Sequence, residues 1–249
     1  MPDIIDADAP SNEWEARVAL AAAYRVAQHF GWGYLIYNHI AQRVPGEDAF
    51  LVKPHDLLFE EVRASSLIKL PLRGSASGFS DNVNIAAYMI HTAILNARPD
   101  INCTLHVHTS AGMAISASKS GLLPITQNAM RFYNRVSYHD FEGYATEDEE
   151  RARLASDLGP RNLVMILRNH GLLACGPTPS QAVFTMWNLV MCCESQLMLQ
   201  ASGAEIVLPS PEVCERSAQV TERLRSTCAG PEHRAFLRVI DKLDPSYRT

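Results

Sequence analysis

The chain has 249 residues, 47% of them hydrophobic, and a formal net charge of −5. That length carries one large domain or two small ones, and no shift in composition argues for two. A mildly acidic chain without a basic stripe excludes a nucleic-acid footprint and leaves small molecules and protein subunits as the expected partners.

Residues 1–11 are acidic and proline-bearing and read as a tail ahead of a single domain over 12–249. Asn12 stands three residues before Glu15, and Trp14, Val18, Ala21, Ala22 and Val26 follow at helical intervals. A first helix is expected to run to about Phe30, stopped by Gly31-Trp32-Gly33. Residues 34–44 (YLIYNHIAQRV) read as a strand, 45–48 (PGED) as a turn, and 49–54 (AFLVKP) as its antiparallel partner. Residues 65–74 supply another short strand. The Gly/Ser-rich stretch 74–82 leads into a helix capped by Ser80 or Asp81. That helix carries Val83, Ala86, Ala87, Ile90 and Ile94 on its apolar face and ends at Arg98-Pro99.

The run 101–107 (INCTLHV) is rich in strand formers, and 110–118 reads as a short helix beside it. Residues 122–126 (LLPIT) and 162–176 (NLVMILRNHGLLACG) are further strand material, the latter broken at Asn169-His170-Gly171. A long helix follows over 177–203, with Pro near its start and Gly at its end, and 211–228 and 231–243 read as closing helices. This order fits one layered α/β domain whose sheet is at least partly antiparallel.

The six cysteines form no CxxC pair, and Cys192-Cys193 lie side by side in an apolar run, which suits buried reduced thiols. The first thirty residues lack the basic start of a signal peptide. Charges interrupt the apolar runs before the ~20 residues a bilayer requires. A cytoplasmic chain with no membrane partner is expected.

The chemistry concentrates in histidine. Positions i and i+2 of a strand face the same way, about 6.5–7 Å apart, so His106 and His108 share a face. Two such imidazoles can converge on a divalent ion, with His170, at the glycine-marked break, as the best third ligand. Three protein ligands leave one coordination position open, as catalytic sites do. With nine histidines in the chain, one HxH pair also arises by chance, and the residues alone leave both readings open. His39, His55 and His139 lie in loop-like stretches and form a second tier of candidates.

Residues 104–116 (TLHVHTSAGMAIS), followed by 168–176 (RNHGLLACG), resemble the class II aldolase/adducin superfamily. Stretches 35–70, 86–109 and 125–146 extend the resemblance to its adducin-like bacterial branch, over roughly residues 12–205. The resemblance implies a class II aldolase-like α/β fold, with one central, largely antiparallel sheet flanked by helices. It implies a divalent metal on His106, His108 and His170, usually zinc, with iron(II), manganese or cobalt as alternatives. It further implies a homotetramer with active sites at subunit interfaces. In the family's aldolases the metal polarises a carbonyl and stabilises an enediolate during carbon–carbon cleavage.

Three departures from the aldolase pattern bear on substrate. The aldolases' catalytic Glu is replaced here by Ser80, with Asp81 beside it as the candidate acid/base. Of the phosphate-binding loops, Asn38 survives as a polar contact and Lys53 supplies a cation, but the small glycine loop is gone and Asp56 would repel phosphate. A carboxylate or keto acid suits Lys53, Arg73 or Arg131 better than a sugar phosphate. Tyr133 takes the place of a tyrosine that reaches a neighbouring subunit's site as proton donor, and His139 is a further substrate-binding candidate. The leading expectation is a metal-dependent lyase acting on a small hydroxy- or keto-acid. The alternatives are an iron(II) oxygenase acting on an aromatic keto acid and a non-catalytic adducin-like module.

Overall fold

Asn12 accepts a hydrogen bond from the Glu15 amide at 3.0 Å and starts helix α1, Glu13–His29. The computed structural model describes residues 9–75, 78–143, 148–224 and 230–249, so most of the expected tail lies outside the described residues. Strands β1 (His39–Arg43), β2 (Ala49–Val52) and β3 (Ile68–Pro71) form an antiparallel meander. Helix α2 (Ile85–Ala97) leads to β4, Cys103–Val107, which pairs antiparallel with β1. Short helices α3 (Ser110–Ser116) and α4 (Gln127–Met130) precede β5, Val136–His139. Helix α5 (Asp148–Leu158), β6 (Val164–Leu167) and β7 (Gly171–Gly176) follow. Helices α6 (Pro179–Ser202), α7 (Pro211–Leu224) and α8 (Gly230–Leu243) close the chain.

The seven strands form one sheet in the order β3-β2-β1-β4-β7-β6-β5, and β5–β6 is its parallel pair. Because side chains alternate across a strand, the sheet has two apolar faces. Ile40, Leu51, Leu105, Val107, Ile166, Leu172 and Ala174 join the core that includes α1 and α6. Ala41, Phe50, Met165, Leu167, Leu173 and Cys175 join the core beneath α2 and α5. The single α/β domain with a largely antiparallel sheet is as expected.

Several local expectations fail for identifiable reasons. Residues 34–38 are turns rather than strand: Leu35 sits at φ +48° and the Tyr37 amide bonds back to the Tyr34 carbonyl at 3.1 Å. Neither Ser80 nor Asp81 caps α2. Asn84 does, accepting from the Ala87 amide, so the helix starts four residues after Asp81. Residues 122–126 form no strand; Thr126 instead caps α4 through the Ala129 amide, and the sheet edge is the unassigned stretch 136–139. Helix α5 carries no apolar run, and no sequence pattern marks it. Helix α6 is long and apolar enough to cross a bilayer by composition, against expectation, but half of its most apolar window is buried against β4 and β7. The five described cysteines are free and buried.

Candidate metal centre

His106 lies on β4, near the middle of the sheet. Its neighbours Leu105 and Val107 face the α1/α6 core, so its own ring faces the α2 side, in line with Thr104 two residues earlier. His108 stands just past the strand end. Its amide donates to Asn38 Oδ1 at 3.1 Å, and Asn38 Nδ2 donates to the Trp32 carbonyl at 2.5 Å. The buried Asn38 thereby ties the loop before β1 to the end of β4.

His170 arrives from the β6–β7 hairpin. Asn169 adopts φ +56°, a left-handed geometry that Asn tolerates better than most residues, and the His170 amide closes on the Leu167 carbonyl at 3.1 Å. Gly171 is required by contact: a Cβ there would lie 2.7 Å from the Val107 carbonyl oxygen and 2.8 Å from His108 Cδ2. Only a residue without a side chain lets β7 come this close to the ends of both imidazoles.

The three rings converge. His106 Nε2 lies 2.7 Å from His108 Nε2 and 3.3 Å from His170 Nε2, and the three candidate ligand atoms all lie within 4.8 Å of one another. Ligands on a tetrahedral ion with bonds of 2.0–2.1 Å sit about 3.3 Å apart, so the cluster has the right size. The tautomer fits as well. His106 Nδ1 donates to the Leu172 carbonyl at 2.9 Å, which leaves Nε2 with a bare lone pair aimed at the other two rings. His106 is buried while His108 and His170 are half-buried, so access is from one side.

Burial and the neighbouring imidazoles hold all three below the ordinary histidine range, His106 well below it and His108 at about 4. Neutral imidazole is the form that binds metal.

Around this trio the other candidates take up different roles. His39 and His91 are both buried; His39 Nδ1 meets His91 Nε2 at 2.7 Å, and His91 Nδ1 meets Thr104 Oγ1 at 2.6 Å. From the sequence His91 reads only as a structural or exposed histidine and Thr104 carries no signal; the available clue is a histidine on the apolar face of α2, three residues after Tyr88.

Lys53 is buried, and its ammonium donates to the carbonyls of Ile36, Pro54 and His55 at 2.9, 3.1 and 3.2 Å. All three of its donors are spent on main chain, so it holds loops together, and burial lowers it to about 8. His139 is buried too, with Nδ1 bonded to Asp157 Oδ2 at 2.7 Å and Nε2 3.6 Å from Glu150 Oε1. It shares with His170 a cavity of about 20 Å³, room for little more than a water.

Ser80 and Asp81 are exposed, and neither side chain bonds to another described residue. Their loop is anchored through the His55 amide, which donates to the Asn82 carbonyl at 2.9 Å. Tyr133 lines a separate cavity of about 220 Å³ with Leu122, Phe132 and Tyr138, and makes no contact with the trio among the described residues. Exposed aromatic rings flank the opening. Tyr34 lies 5.5 Å from the His108 ring and Phe141 6.2 Å from that of His170, while Tyr37 sits between Tyr34 and His55.

The family model for the class II aldolase and adducin N-terminal domain matches residues 18–197. The chain belongs to that family. A Pseudomonas aeruginosa protein provisionally named as a class 2 aldolase is 40% identical over all of this chain and 97% of its own length. Rat alpha-adducin is also 40% identical over 94% of this chain, which spans 34% of that protein. Among solved structures, an aldolase II superfamily protein from Pseudomonas syringae matches with a TM-score of 0.86 and 39% identity, covering 98% of this chain and 99% of that one. An L-fuculose 1-phosphate aldolase from Glaciozyma antarctica gives 0.81 and 26%, covering 96% and 93%. These class II aldolase relatives carry aldolase and adducin names, and none of them supports the oxygenase expectation.

Proposed function

We propose that this class II aldolase family member is a metal-dependent lyase that cleaves or decarboxylates a small hydroxy- or keto-acid. The observation that carries the reading is the convergence of three Nε2 atoms, with His106 locked by the Leu172 carbonyl into the ligating tautomer. A divalent ion held there, zinc first among the candidates, would polarise a substrate carbonyl and stabilise enolate charge. Asn38 sets the height of His108, and the β6–β7 turn sets that of His170.

A hydroxy- or keto-acid offers two neighbouring oxygens to one cation and needs no separate lysine. That suits a site in which Lys53 is committed to carbonyls. The aromatic rim of Tyr34, Tyr37 and Phe141 favours an acid with an apolar substituent over a phosphate ester. Asp81, on an exposed loop tethered near His55, is the candidate for moving the proton. Tyr133, which makes no contact with the trio of its own chain, is the candidate proton donor to a neighbouring subunit in a homotetramer. The free, buried thiols agree with a cytoplasmic location.

The test is metal content after purification without chelator. The wild-type protein is expected to carry one divalent ion per chain, and His108→Ala to lose it with its circular dichroism unchanged. A full metal complement in His108→Ala would overturn the ligand assignment. A wild-type chain that takes up no ion would favour the non-catalytic module.

A further inference from the structure

We propose that His39 belongs to this site as a fixed hydrogen-bond donor, presenting its Nε2–H to a substrate oxygen beside the three histidines, with His91 and Thr104 as the residues that set its tautomer. The inference rests on the proposed metal-dependent reading and adds a residue to it.

Placement comes first. His39 and His106 are direct partners in the antiparallel β1–β4 ladder, so their side chains leave the same face of the sheet. Their ring centroids are 5.0 Å apart. His39 is only 3% exposed. Its Nδ1 is taken by His91, and its Nε2 bonds to no described residue. Nε2 is not among the buried polar atoms that lack a partner, so this edge of a largely buried ring is open to a guest beside His106.

The direction of the proton chain follows from hydroxyl chemistry. Thr104 is fully buried, and among the described residues its hydroxyl has one polar partner, His91 Nδ1 at 2.6 Å. If Thr104 accepted there, its own O–H would be buried without an acceptor, so it donates. A neutral imidazole that accepts at Nδ1 carries its hydrogen on Nε2. His91 therefore donates to His39 Nδ1 across 2.7 Å. By the same rule His39 carries its hydrogen on Nε2. The end of the chain is a donor that cannot accept, held rigidly by two buried groups. Such a group stabilises negative charge developing on a substrate oxygen without reorganising to do so. It also discriminates: a carbonyl, carboxylate or hydroxyl oxygen is satisfied there, whereas an ammonium, which can only donate, is opposed.

Two measurements test this. Nitrogen-15 spectra of histidine-labelled, metal-free protein are expected to place the hydrogen of His39 on Nε2; a hydrogen on Nδ1 would overturn the proposal whatever the metal does. In zinc-loaded protein, acetohydroxamate serves as an oxyanion probe by calorimetry. Thr104→Val and His39→Phe are expected to keep wild-type zinc content but bind the probe about tenfold more weakly, the usual scale for a hydrogen bond to a charged group. Thr104→Ser, which keeps the hydroxyl, is expected to retain wild-type probe affinity. Wild-type affinity in Thr104→Val and His39→Phe, or equal losses in Thr104→Ser and Thr104→Val, would overturn it. Failure of the wild-type chain to load zinc would instead strike the metal-dependent reading itself.

Discussion

At the scale of single residues, Gly171 shows how tightly the site is built. Its missing side chain is the clearance between β7 and His108. Gly171→Ala therefore forces Cβ against the Val107 carbonyl and the His108 ring, since backbone cannot yield as a flexible side chain would. The expected outcome is a stability loss of about 1–3 kcal/mol and zinc affinity lowered about tenfold or more, read by competition with a chromophoric chelator. Unchanged zinc affinity would show that the ring has room to move. HxH and NHG are compact patterns that mark the trio as candidates in the chain, but it is the family resemblance, not strand periodicity, that joins His170 to the pair. Lys53 shows the limit of such reading. A charge is visible in sequence, but the three carbonyls that consume it come from the folding of two separate loops. The His39–His91–Thr104 chain was invisible for the same reason, since it joins three elements through register and packing.

At the scale of elements, the fold was legible where the apolar pattern is strong and illegible where local hydrogen bonding decides. Strands β2, β3, β4, β6 and β7 and helices α1 and α6 follow their patterns. The start of α2 does not: Ser80, Asp81 and Asn84 are all good capping types, and only the position at which the chain turns into the helix selects Asn84. Helix α2 also delivers His91 into the sheet core, where burial pushes it down to about 3. Above pH 6.5, the ordinary value, neither folded nor unfolded chain protonates it. Below that, the unfolded chain takes a proton that the folded chain refuses, so stability falls as pH drops from 6.5 toward 3, by at most about 1.4 kcal/mol per pH unit. Urea midpoints of metal-free protein are expected to fall between pH 7 and pH 5, and His91→Leu to show a shallower fall. An identical slope in the variant would remove His91 as a cause.

At the scale of the whole molecule, one sheet with a helical layer on each face leaves apolar side chains uncovered. Met198 is 70% exposed and Val207 84%. Such side chains are ones that a partner subunit would cover in the proposed homotetramer. Light scattering is expected to give four times the 27.6 kDa chain mass, and a stable monomer would remove Tyr133 from any partner's chemistry. The β4–β7 ladder has a last consequence. It pairs His106 with Leu173 and Val107 with Leu172, and the β6–β7 hairpin that carries His170 continues the same ladder. His106 and His170 are thus pinned by backbone bonds, and His108 by the Asn38 side chain, all of which the fold makes for its own reasons. An arriving ion has almost no chain to immobilise, so its binding energy is not consumed in organising a floppy pocket. Loading or removing an ion is expected to leave the rest of the molecule undisturbed.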